Sequence, residues 1–375
     1  MKYFDYAATC PLDQDAANAY VKAATEYFGN TQSLHDFGTK AASLLEICRE
    51  KLAAIIGVEK DGLYFTSGGS ESNFLGICSL LPNRKKQGKH IITGIAEHSS
   101  IKGTMEKLEE EGYRVTYLPL NENGEIDLQQ FQNSIRDDTV FAAIQFANPE
   151  IGTIQPIKKI GEICKKEGII FFSDCVHCFG KIDLKPFIPY LDGLSLSAHK
   201  FYGPKGVGAV YINPRIHWRS FFRNASHEKG FRPGTVNVPA ITAMAVAAEK
   251  CHQLMEKNND HYRSLRKTFL DCLNNEKDLF AILQHEQAQI TSTVGLRVRG
   301  KEGHWVMLEL KRRGFAVSTG SACRVGTDSP SKTMEAMGFS REEGKEFIRI
   351  SFGIETKEKD VEELVKTLIE IAKKN

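Results

Sequence analysis

The chain has 375 residues, 41% of them hydrophobic and 26% charged, with 49 Lys and Arg set against 47 Asp and Glu for a net charge of +2. This hydrophobicity and neutrality exclude a disordered chain and argue against nucleic acid or an anionic membrane as the main partner. The nine cysteines are odd in number and irregularly spaced. With no signal-like start and no apolar run of membrane-spanning length, they predict a soluble protein of the reducing cytoplasm with free thiols. The length exceeds one small core, so two domains, or one large α/β domain with an appendage, are expected.

In chain order, Asp13–Phe28 reads as an Ala-rich helix ended by Gly29. Lys40–Ile56 reads as a stronger one, with Leu44, Leu45, Cys48, Leu52, Ile55 and Ile56 on one stripe and Gly57 as its stop. Short strands are predicted at Leu63–Thr66, His90–Thr93, Val115–Leu118, Val140–Gln145, Ile169–Ser173, Gly193–Ser197 and Val207–Ile212. Helices at Ser100–Glu111 and Ile157–Glu167 lie between them. Strands alternating with helices imply parallel crossover units and a doubly wound sheet. After Pro239 the character changes. Long charged helices are predicted at Ala240–Lys257 and His261–Leu273. Strands follow at Thr293–Val298, Phe315–Ser318 and Phe347–Phe352, with helices at His304–Arg312 and Glu358–Lys373. The expected division is a large domain over 13–250 with a mostly parallel doubly wound sheet, and a smaller α+β domain from 1–12 and 251–375.

In open α/β sheets ligands gather beyond the carboxyl ends of the strands. After Leu63–Thr66 come Ser67, Gly68, Gly69 and Ser70, opening a helix whose N–H groups could hold a phosphate. From this segment alone an ordinary strand-to-helix turn is the preferred reading, and the Gly-Lys-Ser/Thr ending of a P-loop is missing. After His90–Thr93 comes His98, either a ligand contact or a helix cap. Asn148 precedes Pro149 and is therefore held extended. Asp174 and His177 follow one strand, and Ser197, His199 and Lys200 end the next. One group that needs an acid, an amine and a phosphate turn together is pyridoxal 5′-phosphate (PLP). Its aldehyde requires a lysine, its ring nitrogen a carboxylate that keeps it protonated, and its phosphate a helix N-terminus and hydroxyls.

Two cysteine contexts stand out. Cys175 and Cys178 could be a redox pair or half a zinc site, but no second ligand pair is visible. Two buried thiols are the preferred reading, and no metal site is expected. Cys323 lies among Ser318, Thr319, Gly320, Ser321 and Ala322, a small-residue loop after a strand, with Arg324 beside it favouring thiolate. From these surroundings alone, a reactive and an inert thiol stay equally open.

These segments match a known pattern. They are Tyr3 to Thr9, Phe28-Gly29-Asn30, Phe65 to Asn73, Glu97-His98, Asn148 to Gly152, Ser197 to Gly206, Arg232 to Thr235, Ser318 to Cys323 and Ile348 to Gly353. Through them the chain resembles, nearly end to end, the cysteine desulfurases of the NifS/IscS type. These belong to the class V aminotransferase group of fold-type I PLP enzymes. The resemblance implies that Lys200 forms the Schiff base with PLP and serves as base and acid at the substrate α-carbon. Asp174 would pair with the ring nitrogen and His98 would stack on the ring. Gly69, Ser70, Ser197 and His199 would hold the phosphate, with Thr235 reaching in from a second subunit of a homodimer. Arg349 would bind the carboxylate of L-cysteine, helped by Asn30 and Asn148. Cys323 would take the sulfur as a persulfide for an acceptor protein: an iron–sulfur scaffold, an apo-enzyme or a tRNA-thiolation protein. The sequence departs from the pattern at His177, where a glutamine usually meets the cofactor's phenolic oxygen. Ser70 replaces a threonine, Pro149 an asparagine and Pro233 a serine. A selenocysteine lyase, another class V aminotransferase and a non-catalytic sulfur-trafficking protein are the competing readings.

Overall fold

The computed structural model describes residues 1–83, 87–320 and 331–374. Seven strands form the central sheet, in the order Leu63–Thr66, Gly208–Ile212, Gly193–Ser197, Ile170–Asp174, Thr139–Gln145, His90–Gly94 and Arg114–Leu118. Only Gly208–Ile212 runs against its neighbours; the remaining pairings are parallel. Both faces of this sheet are buried, and the side chains divide with period two. Ala142, Ile144, Phe171, Leu194 and Ala209 point into one apolar cluster. Phe141, Ala143, Ile170, Phe172 and Val210 point into the other. Such continuous apolar strands are what a parallel sheet covered by helices on both faces requires.

The helices start and stop where local chemistry dictates. Asp13 caps Gln14–Glu26, its carboxylate accepting from the N–H groups of Asp15 and Ala16. Ile157–Glu167 begins after Pro156 and ends at Gly168 in the left-handed conformation. The long helical region after Pro239 differs from expectation at its break. Val238–Gln253 and Met255–Leu273 meet at Leu254, not around Asn258–Asp260. Val238–Gln253 packs on Gln14–Glu26 and Asp36–Ile56, whereas Met255–Leu273 packs on Glu358–Ala372. A third apolar cluster, with Phe269, Leu296, Ile350 and Leu368 at its centre, joins those two helices to an antiparallel sheet. That sheet has the order Phe347–Ser351, Thr293–Val298, Phe280–Leu283. Lys2–Tyr3 pairs in parallel with Phe315–Ala316.

A segment after the reversed strand returns to clasp the sheet edge. Glu228 accepts from Arg49 Nη1 (2.8 Å) and Nη2 (3.0 Å) and from the Phe65 N–H (2.7 Å). Both side chains are 2% exposed. Four residues on, Arg232 donates through Nε to both Glu71 oxygens, at 3.0 and 2.9 Å. Among the described residues no helix is long and apolar enough to cross a membrane, and every described cysteine is a free thiol.

Candidate active site

A cavity of about 290 Å³ opens at the carboxyl edge of the central sheet, lined by Gly69, Ser70, His98, Asp174, His177, Ser197, His199, Lys200 and Arg349 among others. A larger cavity of about 510 Å³ lies at the opposite edge, among Gly161, Tyr190 and Arg215, and collects none of the candidate residues.

Asp174 ends its strand, opposite Gln145 in register. Its Oδ2 accepts from Asn73 Nδ2 (2.7 Å), and its Oδ1 from the Val176 N–H (2.9 Å) and Ser195 Oγ (3.4 Å). Asn73 also donates to Ser100 Oγ (3.0 Å), which lies 2.8 Å from His98 Nδ1. The Asp174 carboxylate and the His98 ring are thus joined through two uncharged side chains. Asn73 had been no more than part of a motif in the sequence. Its position one helical turn after Gly69, on the face toward the cavity, was the available signal.

His98 caps Ser99–Glu110, its Nδ1 accepting from the Ser100 N–H at 3.2 Å. Its neutral ring therefore carries the proton on Nε2. Desolvation in the cleft lowers its pKa; Asp174 opposes this, and Lys200 and Lys332 add to it. Burial pushes His199 down to about 4, with Lys200, Lys205 and His98 contributing; its Nδ1 lies 3.2 Å from Thr9 Oγ1. His177 is held neutral by burial and by the cations Lys181, Lys200 and Arg349, which drive its pKa well below the usual value. Its Nε2 lies 3.2 Å from Thr293 Oγ1, while its buried Nδ1 has no partner.

Lys200 ends the short 3₁₀ turn that follows Gly193–Ser197. Its amine donates to the carbonyl oxygens of Ala7 and Ala8. Burial lowers its pKa to about 8, helped by Arg349 and Lys181. Such an amine loses its proton far more readily than an ordinary lysine.

The phosphate-type turn is built tightly. Gly68 has φ +148°, and a Cβ on Gly69 would lie 2.8 Å from the Val176 Cγ2 methyl, so a side chain there would crowd Val176. The turn opens helix Gly69–Leu80 beside Ser197, and Ser70 stands exposed in its first turn. Arg349 projects from Phe347–Ser351, with Nη2 on Asp5 (2.7 Å), Nη1 on the Pro149 carbonyl (3.2 Å), and a buried Nε without a partner.

Three expected residues do not line this cavity. Asn30 is exposed, and its Oδ1 accepts from the Gln32 N–H at 3.0 Å. Asn148 is buried but engaged, donating to Thr333 Oγ1 (3.0 Å) and accepting from the N–H groups of Glu150 (2.8 Å) and Ile151 (3.0 Å). It shapes the turn that carries Pro149 and Glu150 into the cavity wall. Thr235 is exposed, three residues beyond the Arg232–Glu71 contact. Cys323 lies outside the described residues. The chain on either side of it is placed: Ser318 exchanges backbone hydrogen bonds with Arg349 at 2.6 and 3.2 Å, and the Ser331 hydroxyl donates to the buried Glu150 carboxylate.

The family model for class-V aminotransferases matches residues 2–364. The chain belongs to the class-V aminotransferase family. A Bacillus subtilis protein bearing the NifS name is 44% identical over 370 residues, 98% of this chain and 93% of that one. Cysteine desulfurase IscS of Clostridium botulinum is 35% identical over 380 residues, 99% and 94% of the two chains. A solved NifS-like protein superposes with TM-score 0.91 at 30% identity, covering 99% of this chain and 98% of that one. A second solved structure, SspA in complex with cysteine, has TM-score 0.81 at 31% identity, covering 94% and 99%. The fold is therefore that of fold-type I PLP enzymes, and PLP is the family's cofactor. The class-V site fits that group on its own chemistry. It offers a carboxylate, a low-pKa amine, a glycine cradle at a helix start, and an imidazole nitrogen left unpaired in a buried wall.

Proposed function

We propose that this protein is a PLP-dependent L-cysteine desulfurase, which converts cysteine to alanine and passes the sulfur, held as a persulfide on Cys323, to an acceptor protein. The observation that carries this reading is the meeting of Lys200, Asp174, His98 and Arg349 around one cavity. Relatives that carry the cysteine desulfurase name over nearly the full length support it.

When bound, the cofactor supplies an electron sink that makes the substrate α-proton labile. Lys200 would hold the group covalently and, once released, take that proton; its depressed pKa keeps the amine available near neutral pH. Asp174, fixed by Asn73 and Val176, would pair with the ring nitrogen. His98 would stack on the ring, with its Nε2 proton free to move. Ser70, Ser197, His199 and the N–H groups opening Gly69–Leu80 would hold the phosphate. Thr235, carried on the clasped segment, would complete that site in the second copy of a homodimer. His177 can only donate or accept as a neutral ring, and its unpaired Nδ1 would take the role usually filled by glutamine.

Arg349 would grip the substrate carboxylate, its Nε uncommitted and its other nitrogens steadied by Asp5 and Pro149. The Cys323 thiolate would then attack the substrate sulfur. The Cβ–S bond breaks and an S–S bond forms on the enzyme. The electron pair stays with the three-carbon fragment, which takes up a proton and leaves as alanine. The free thiols match the reducing cytoplasm in which we place this chemistry.

The reading is tested by supplying PLP-loaded enzyme with L-cysteine and a thiol reductant. Equimolar alanine and sulfide are expected, and Cys323→Ser should release neither at the wild-type rate. Alanine production that is unaffected by Cys323→Ser would remove the thiol from the mechanism.

A further inference from the structure

A second, much smaller cavity, of about 20 Å³, lies behind the site lysine. It is bounded by Lys200 and His177 on one side and by Lys181, Cys10, Cys251 and Tyr262 on the other. Its volume is that of one water molecule. The Lys181 amine donates to the His177 carbonyl at 2.8 Å, and no carboxylate among the described residues pairs with it. The groups that face it are the thiols of Cys10, Cys178 and Cys251. Lys181 is half-buried, and desolvation lowers its own pKa.

The charged and titratable groups facing Lys200 are Arg349, Lys181, Cys10 and Asp5, with His98 and His199 beside it. Arg349 is the larger influence, but its charge is offset by Asp5 at 2.7 Å, and the two act on Lys200 in opposite directions. Cys10, a buried thiol whose own pKa is raised by burial, stays protonated and contributes no charge. Lys181 is left as the cation without an acid beside it. It is also the leading cation acting on His177, whose carbonyl fixes its position.

We propose that Lys181 is an electrostatic positioning residue, a half-buried cation whose field across the small cavity favours the amine form of the Lys200 side chain and the neutral form of the His177 ring. The proposal rests on the reading of Lys200 as the cofactor-bearing lysine.

The test is made on the apo-enzyme, so that it does not pass through turnover. Competitive acetylation with acetic anhydride over a pH series, read peptide by peptide by mass spectrometry, gives the titration midpoint of Lys200. In Lys181→Met the midpoint is expected to rise by about one pH unit, lowering the amine fraction at pH 8 about fivefold. Lys181→Arg, which keeps the charge, should retain the wild-type midpoint. If Lys181→Met does not fold, Lys181→Gln replaces it with the same expected shift. A Lys200 midpoint unchanged on removal of the charge, or shifted equally by Arg and Met, would overturn the proposal. Borohydride reduction of the PLP-loaded wild type followed by peptide mapping tests the underlying reading separately: labelling of a lysine other than Lys200 would overturn that reading whatever the midpoints show.

Discussion

The Arg49–Glu228 pair offers a sharp structural prediction, because it is buried, bidentate and tied to the site. Glu228 also accepts the Phe65 N–H, and Arg49 also donates to the Leu63 carbonyl (2.7 Å) and to Glu46 (3.0 Å). Glu228→Gln would leave the Arg49 charge buried with only the partly exposed Glu46 to answer it. Removing one partner of such a pair costs about 3–5 kcal/mol. At a urea slope of about 1–3 kcal/mol per molar, the unfolding midpoint should fall by at least about 1 M. Arg49→Met alone should cost a similar amount. The double variant Arg49→Met/Glu228→Leu buries no unpaired charge, so it should be more stable than the sum of the singles by about 3 kcal/mol or more. Urea unfolding of the four proteins completes the cycle. Single-variant losses below about 1 kcal/mol that simply add would refute the view that this pair holds the returning segment to the sheet edge.

Other outcomes follow from the site. Arg349→Lys keeps the charge but loses the planar fork; if the lost hydrogen bonds are worth about 1.5–3 kcal/mol, KM for cysteine should rise at least tenfold with kcat less affected, as read by steady-state kinetics. Asn73→Leu removes the donor to Asp174 Oδ2 and the link to Ser100; PLP should bind the apo-enzyme about tenfold or more weakly, measured by absorbance titration. The depressed His199 pKa of about 4 means that the unfolded chain takes up a proton near pH 6.5 while the folded chain does not. Its contribution to stability is therefore lost as pH falls from about 6.5 toward about 4, and His199→Asn should flatten the dependence of the urea midpoint over that window.

The fold was legible wherever local and global preferences agreed. The strands Leu63–Thr66, Gly193–Ser197 and Thr293–Val298 and the helix Ile157–Glu167 have the predicted ends. Leu63–Thr66 is an apolar run after Gly62, Gly193–Ser197 begins on Gly, and Ile157–Glu167 lies between Pro156 and Gly168. The error after Gln253 has a physical cause. Asn258, Asn259 and Asp260 read as a helix break, but Asn259 donates to the Lys181 carbonyl at 2.8 Å inside Met255–Leu273, and tertiary contact overrides weak propensity. Phe280–Leu283 and the six-residue helix Leu128–Asn133 were missed because neither carries a periodic signal long enough to register. The site residues at or just beyond strand ends, Asp174, Ser197 and Lys200, could be found by position alone. Glu150 could not, since its partner Ser331 is distant in the chain. Asn148 illustrates the reverse limit, for a motif residue's amide can be consumed by the turn it builds.

The central claim is that substrate sulfur passes to Cys323. The direct measurement is a single turnover of PLP-loaded enzyme with ³⁵S-labelled L-cysteine, without reductant, followed by alkylation and peptide mapping. The account predicts one equivalent of alanine and one labelled, reductant-sensitive sulfur on the Cys323 peptide. Alanine formed with the label on another peptide, or with none retained on the protein, would contradict it.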